Sequence, residues 1–166
     1  ISISSINGRA SGGGAEIGWA CDFRVAEEGV KFCQPEIDLN LTTGLGGTSR
    51  LARLIGPTKA AELIFLGSEF SAEYIYQLKG INEIVKRGNS LESSIELANK
   101  LSKKPKDALS LLKKILNDSL ELPLTSALRN EQDLFQSIVN SEGATMKMRE
   151  IQNQYFKGKK PKDIIY

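Results

Sequence analysis

Apolar and polar positions alternate, imperfectly, in the opening ISISSI, and alternate again in VKFC, where Val30 and Phe32 share one face; both stretches read as strands. Asn7-Gly8 after the first is a tight-turn signal. AEIGWACD reads as a short helix, followed by an extended FRVA and the turn EEG. QPEIDLNLTTGLGGTSRLARLIG carries Pro35 and four glycines, the mark of a long shaped loop, before SRLARLIG takes up helical spacing.

From Pro57 onward the apolar spacing is mainly helical. PTKAAELIFLG closes at Gly67, Ser71 is placed to cap AEYIYQLK, and INEIV reads as one more short strand. Polar KRGNS then marks a boundary, dividing the chain into 1–86 with α/β texture and 87–166 with helical signals alone. In the second region Ser90 is expected to cap a helix with Leu91, Ile95, Ala98 and Leu101 on one face. Pro105 opens another with Ala108, Leu111, Leu112 and Ile115 aligned, and Pro123 a third with Leu124, Ala127, Leu128, Phe135 and Ile138.

Composition narrows the chemistry. At 166 residues, 40% hydrophobic and 25% charged, the chain has the make-up of a globular domain with an appendage. A formal charge of +2 gives no global case for nucleic acid or a membrane surface as partner. No apolar run approaches the roughly 20 residues that cross a bilayer, and the first residues lack signal-peptide features, so a cytoplasmic address is expected. An opening strand with no leader suggests that neighbouring elements are supplied elsewhere, as if an N-terminal part were absent. Cys21 and Cys33 fit neither a disulfide framework nor a zinc pattern. With no histidine, Ser/His/Asp and Cys/His catalysis are excluded and the usual zinc sites lose their ligands. GLGGTS breaks the dinucleotide-binding GxGxxG, and no phosphate-binding P-loop occurs.

Carboxylates and backbone amides remain. Gly12, Gly13 and Gly14 stand immediately before the helix that carries Glu16, and Glu36 follows Pro35. Free N–H groups at a helix N-terminus can stabilise a developing oxyanion, and glycine lets a ligand come close. Alone, the glycines read as close strand-helix packing, Glu16 as a first-turn helix charge and Glu36 as a surface residue. Two carboxylates in unlike surroundings are, together, the raw material for a base and an acid. Asp22 and Arg24 read as local pairing or capping groups, and Arg50 and Arg53 as decoration of a helix face.

INGRASGGGAEIGWACDFRVA, FCQPEIDLNLTTGLGGTSRLARLIG, ELIFLG and SAEYIYQLKGINEIV together resemble the crotonase superfamily, most closely its enoyl-CoA hydratases. The resemblance implies an α/β (α+β) fold: the later turns of a β-β-α spiral core over 1–86, then a helical region that builds homotrimers or hexamers. It implies syn addition of water to a trans-2-enoyl thioester, with no metal and with coenzyme A as part of the substrate rather than a cofactor. By the same resemblance Gly13 donates one oxyanion-hole amide, Glu16 and Glu36 share the proton transfers, and Gly12, Trp19, Thr43, Gly44 and Leu45 meet the acyl group. A second oxyanion donor lies, in family members, on an earlier turn without counterpart in this chain.

The chain also departs from the family. Thr43 stands where proline is usual, Leu45 where a small residue is usual, and these changes bear on the acyl group accepted. Alternatives within the superfamily are an enoyl isomerase or a dehydratase acting on carrier-bound acyl groups; a non-catalytic scaffold is the alternative outside enzymes. Lys157, Lys159, Lys160 and Lys162 read as a solvated tail, with contact to coenzyme A phosphates as the other possibility.

Overall fold

The computed structural model describes residues 1–160. Two compact units divide after Lys103. The boundary expected at residue 86 falls earlier, because the helix that follows it packs on the first sheet and belongs with the first unit.

The first unit is organised by two small sheets. In one, β1 (Ile3–Ile6) pairs in parallel with β3 (Phe23–Glu27), setting Ile6 opposite Ala26, and β3 pairs in parallel with β6 (Glu83–Val85). Central β3 is buried from Arg24 to Glu27, as a parallel strand covered on both faces must be. In the other sheet β4 (Lys31–Cys33) lies between parallel β2 (Ala10–Ser11) and antiparallel β5 (Glu69–Ser71), with Phe32 opposite Phe70. The two-residue β2 and three-residue β5 are too short to show a period in sequence, and neither was expected.

Parallel strands need a crossover, which α1 (Gly13–Ala20) supplies between β1 and β3. α1 buries Ala15, Glu16, Gly18 and Trp19 and leaves Ile17 outside. Helices α2 (Gly47–Ile55), α3 (Pro57–Phe65) and α4 (Ala72–Gln77) add Leu51, Leu63 and Ile75 to a core shared with Trp19 and Phe32, whose rings sit 4.8 Å apart. Each such apolar side chain contributes about 1.5–3 kcal/mol on burial. Ser71 caps α4 as its sequence position suggested, its hydroxyl accepting from the Tyr74 N–H at 3.2 Å.

Two buried charges stitch the unit together. The Arg24 guanidinium donates to the backbone carbonyls of Gly80 at 2.7 Å and Gly18 at 3.4 Å, joining the end of α1 to the approach to β6; burial pushes its pKa below the ordinary guanidinium value. Asp22 accepts from the N–H and hydroxyl of Ser2. At the end of β3 the Glu27 carboxylate accepts from the Ser90 hydroxyl at 2.8 Å and its N–H at 3.3 Å. Ser90 is therefore the first residue of α5 (Ser90–Ser102) and a donor, not its cap: the acceptor is a strand carboxylate 63 positions away, which no local reading could supply.

The second unit holds α6 (Lys106–Glu121), α7 (Leu124–Val139) and α8 (Glu142–Phe156). Pro105 and Pro123 flank the starts of the first two, as expected. The break before α8 was not expected; there the Ser141 hydroxyl accepts from the Ala144 N–H at 3.2 Å. Asp118 of α6 accepts from Lys114 at 2.6 Å and from Asn130 of α7 at 2.8 Å. None of these helices buries a residue fully. Among the described residues, no helix is long and apolar enough to cross a membrane.

Candidate active site

Gly12 turns the chain from β2 into α1 with φ +53, a conformation that glycine adopts freely. Its N–H donates to the Cys33 carbonyl at 3.0 Å, which fixes the turn against the end of β4. A Cβ on Gly12 would lie 3.1 Å from Glu36 Oε1, so the missing side chain is also what lets that carboxylate approach. Gly13 opens α1, and the first N–H groups of the helix have no carbonyl four residues back to receive them.

Glu16, one turn into α1, is 2% exposed, yet its charge is not left bare. Oε2 accepts from the Leu45 N–H and Oε1 from the Gly47 N–H, both at 2.9 Å. The glycine-rich loop thus grips the carboxylate through its main chain. Gly47 must be glycine for this: a Cβ would stand 2.5 Å from Glu16 Oε1 and 2.7 Å from the distal amide of Gln34.

Glu36 rides on a 3-10 helix, Pro35–Leu39, inside what read as irregular loop. Pro35 sets its first turn, and Asn40, left-handed at φ 54, ends it. Glu36 is half-buried and faces Gly12. Gln34, 1% exposed, points its amide at this carboxylate; with nitrogen facing the acid it donates to Oε2 at 3.2 Å and Oε1 at 3.3 Å. The reverse orientation sets oxygen against oxygen and is disfavoured. Glu16, Gly47, Gln34, Glu36 and Gly12 therefore form one continuous cluster.

The remaining expected residues divide. The Leu45 side chain is exposed, and its Cδ1 lies 3.4 Å from where a Cβ on Gly13 would be. Gly44 is exposed with open space beside it. Thr43 shares a 2.7 Å hydrogen bond with the Thr48 hydroxyl and accepts from the Thr48 N–H at 3.1 Å, so where proline is usual it tethers the loop to the start of α2. Thr43, Thr48, Ile37, Leu41, Ile64 and Glu36 help line a cavity of about 140 Å³. Trp19, expected at the acyl group, is 3% exposed and packs on Phe32 in the core, on the same helix face as buried Ala15 and Glu16.

Sequence reasoning passed over Gln34 and Gly47 as site residues. A signal for Gln34 was there: the strand alternation that places Val30 and Phe32 together extends to position 34, setting an amide on an otherwise apolar face. Among the described residues, no group of three or more Cys, Asp or Glu side chains is placed to hold a metal ion. Of the basic tail, Lys157 follows α8 and is exposed, while Lys162 lies outside the described residues.

With this geometry in place, the comparisons give the family. The model for enoyl-CoA hydratase/isomerase matches residues 1–159, and the chain belongs to that family. It is 34% identical over 140 residues to a short-chain-enoyl-CoA hydratase of Clostridium acetobutylicum, an alignment covering 84% of this chain and 54% of the relative. To a crotonyl-CoA hydratase of Syntrophomonas wolfei it is 35% identical over 133 residues, 80% of this chain and 51% of that protein. A crystal structure of enoyl-CoA hydratase from Bacillus anthracis superposes with a TM-score of 0.83 at 33% identity, covering 94% of this chain and 58% of that one. The fold is thus of the crotonase type, with a helical C-terminal region. The chain spans about half the length of these curated relatives.

Proposed function

We propose that this chain carries the proton-transfer groups of an enoyl-CoA hydratase. The substrate is a trans-2-enoyl-CoA thioester, with coenzyme A as its handle and no separate cofactor. Water adds its oxygen to the β-carbon, one water proton passes to a carboxylate, the carbon–carbon double bond shifts its electrons toward the thioester oxygen, and a proton delivered to the α-carbon completes a 3-hydroxyacyl thioester. Glu16 and Glu36 share these transfers, and the Gly13 N–H is one donor to the transient oxyanion. Leu45, lying over Gly13, and Gly44 border the acyl group, and Gly12 gives it room.

One observation carries the reading. Two carboxylates 20 positions apart in sequence each meet a glycine position, Glu16 gripped by the Leu45 and Gly47 N–H groups and Glu36 set against Gly12, with Gln34 close to both. Isolated surface glutamates have no reason to converge in this way. The apolar faces of the second unit support a further part of the proposal, assembly into trimers or hexamers.

Incubating the full-length protein with crotonyl-CoA and analysing the product tests the reaction. Formation of 3-hydroxybutyryl-CoA is the expected result. A product that keeps its double bond at a new position, or turnover restricted to carrier-bound acyl groups, overturns it.

A further inference from the structure

The loop that grips Glu16 has to be held in shape itself. Helix α2 begins at Gly47 behind its N-cap Gly46, which stands at φ +87 and has no side chain with which to cap. The two N–H groups that open the helix are met from elsewhere in the chain. Gly47 donates to Glu16 Oε1 at 2.9 Å, and Thr48 donates to the Thr43 hydroxyl at 3.1 Å. The Thr43 and Thr48 hydroxyls also meet at 2.7 Å, so one side chain closes residues 43–48 into a ring through two hydrogen bonds. Within that ring Leu45 donates its N–H to Glu16 Oε2 at 2.9 Å, and its carbonyl accepts from Arg50 Nη1 at 2.5 Å. Both N–H groups on the carboxylate thus lie between the two ends of the Thr43 tether. Proline, usual at this position, has no hydroxyl with which to make it.

We propose that Thr43 is a positioning residue for Glu16, acting through this loop; the proposal rests on the hydratase reading for its effect on turnover and on geometry alone for its effect on the loop. The backbone of Glu16 is fixed by α1, but both partners of its carboxylate are main-chain groups of a glycine-rich segment. Gly44, Gly46 and Gly47 make that segment costly to order, so contacts must impose the shape that aims two N–H groups at one carboxylate. Arg50 braces the ring at the Leu45 carbonyl, and Thr43 ties its first residue to the helix. Because its hydroxyl is engaged by Thr48, Thr43 acts on the reaction through the placement of Glu16 and not by hydrogen-bonding the acyl group. A displacement on the order of 1 Å at a reacting group costs about 100-fold in rate. Loosening a loop still braced by Arg50 costs less.

The test compares the full-length protein with Thr43→Val, which keeps the β-branched shape without the hydroxyl, and Thr43→Ser, which keeps the hydroxyl. With crotonyl-CoA, Thr43→Val is expected to lower kcat about 10- to 30-fold while KM changes less than about 3-fold, and Thr43→Ser to retain at least about a third of wild-type kcat. An unchanged kcat in Thr43→Val overturns the proposal, as does an equal loss in both variants, which would assign the effect to packing rather than to the hydroxyl. In a Glu16→Gln background Thr43→Val is expected to cost less than about 2-fold, and the full loss there refutes action through Glu16. Amide hydrogen exchange followed by NMR reads the loop without turnover. Protection of the Leu45 and Gly47 N–H groups is expected to fall at least about 10-fold in Thr43→Val, and wild-type protection refutes positioning whatever the reaction. A wild type that leaves crotonyl-CoA unhydrated, together with lost protection in Thr43→Val, defeats the hydratase reading and leaves the positioning role standing. Should Thr43→Val not fold, Thr43→Ala removes the same hydroxyl and is held to the same outcomes.

Discussion

The two units of the chain solve the burial of apolar side chains differently. In the first, short strands and helices enclose Phe32, Leu51, Leu63, Ile75 and Val25 with almost no exposure. In the second, three longer helices leave Leu112, Leu116, Leu124, Leu128, Phe135 and Phe156 each more than half exposed. Yet α6 and α7 of the second unit are as plainly amphipathic in sequence as α3 and α5 of the first. Periodicity tells which face of a helix is apolar; it does not tell whether that face is covered within the same compact unit. The difference matters for function because every residue of the carboxylate cluster sits in the first unit, where packing can hold it to tenths of an ångström.

The comparison can be pressed hardest through the core. Phe32→Ala removes a fully buried ring that supports Trp19 and is expected to cost about 3–5 kcal/mol, measured by denaturant unfolding. A loss below about 1 kcal/mol would mean that the first unit is no better packed than the second. Next in size comes the site itself. Gly47→Ala forces the Glu16 carboxylate and the Gln34 amide aside and is expected to lower kcat about 100-fold with a smaller effect on melting temperature.

A smaller, pH-dependent effect is expected where β3 meets α5. N–H donation from Gly88, then the Ser90 hydroxyl, holds the Glu27 carboxyl below the usual carboxylate range. A depressed carboxyl contributes stability that is full above its unfolded-state value and is lost as pH falls through the folded-state value. Ser90→Ala is therefore expected to destabilise at neutral pH and to differ progressively less from wild type as acid protonates Glu27, followed by thermal melts across the acidic range. A pH-independent difference would assign the effect to packing alone.

The smallest effect is expected on the exposed apolar face. Leu116→Ala, at a side chain 65% exposed in the single chain, is expected to cost about 1 kcal/mol and to lower the molecular mass in light scattering, because the proposed assembly buries that face. A change of no more than about 0.5 kcal/mol with the mass unaltered would contradict that assembly.

What could be read from sequence follows the range of the interactions. Ser71, Pro105 and Pro123 act within four residues of themselves, and each was legible. Gly12 was legible as an unusual backbone position because glycine there has no local explanation. Ser90 misled because its partner is Glu27, and the packing of Trp19 on Phe32 was not legible because the two meet only when α1 is laid on β4. Glu16 and Glu36 were found through their shared motif, whereas Gln34 and Gly47 gain their meaning only when β4, the 3-10 helix and the start of α2 are brought together. Strands of two or three residues, β2 and β5, exist because neighbouring strands recruit them, not because their own residues insist.

The most direct measurement is the turnover number for crotonyl-CoA hydration by the full-length protein and its Glu16→Gln and Glu36→Gln variants. Either change keeps side-chain volume while removing the ability to carry a proton, and each is expected to lower kcat by about 10²- to 10⁴-fold. Wild-type turnover in both folded variants would contradict the assignment of proton transfer to this pair.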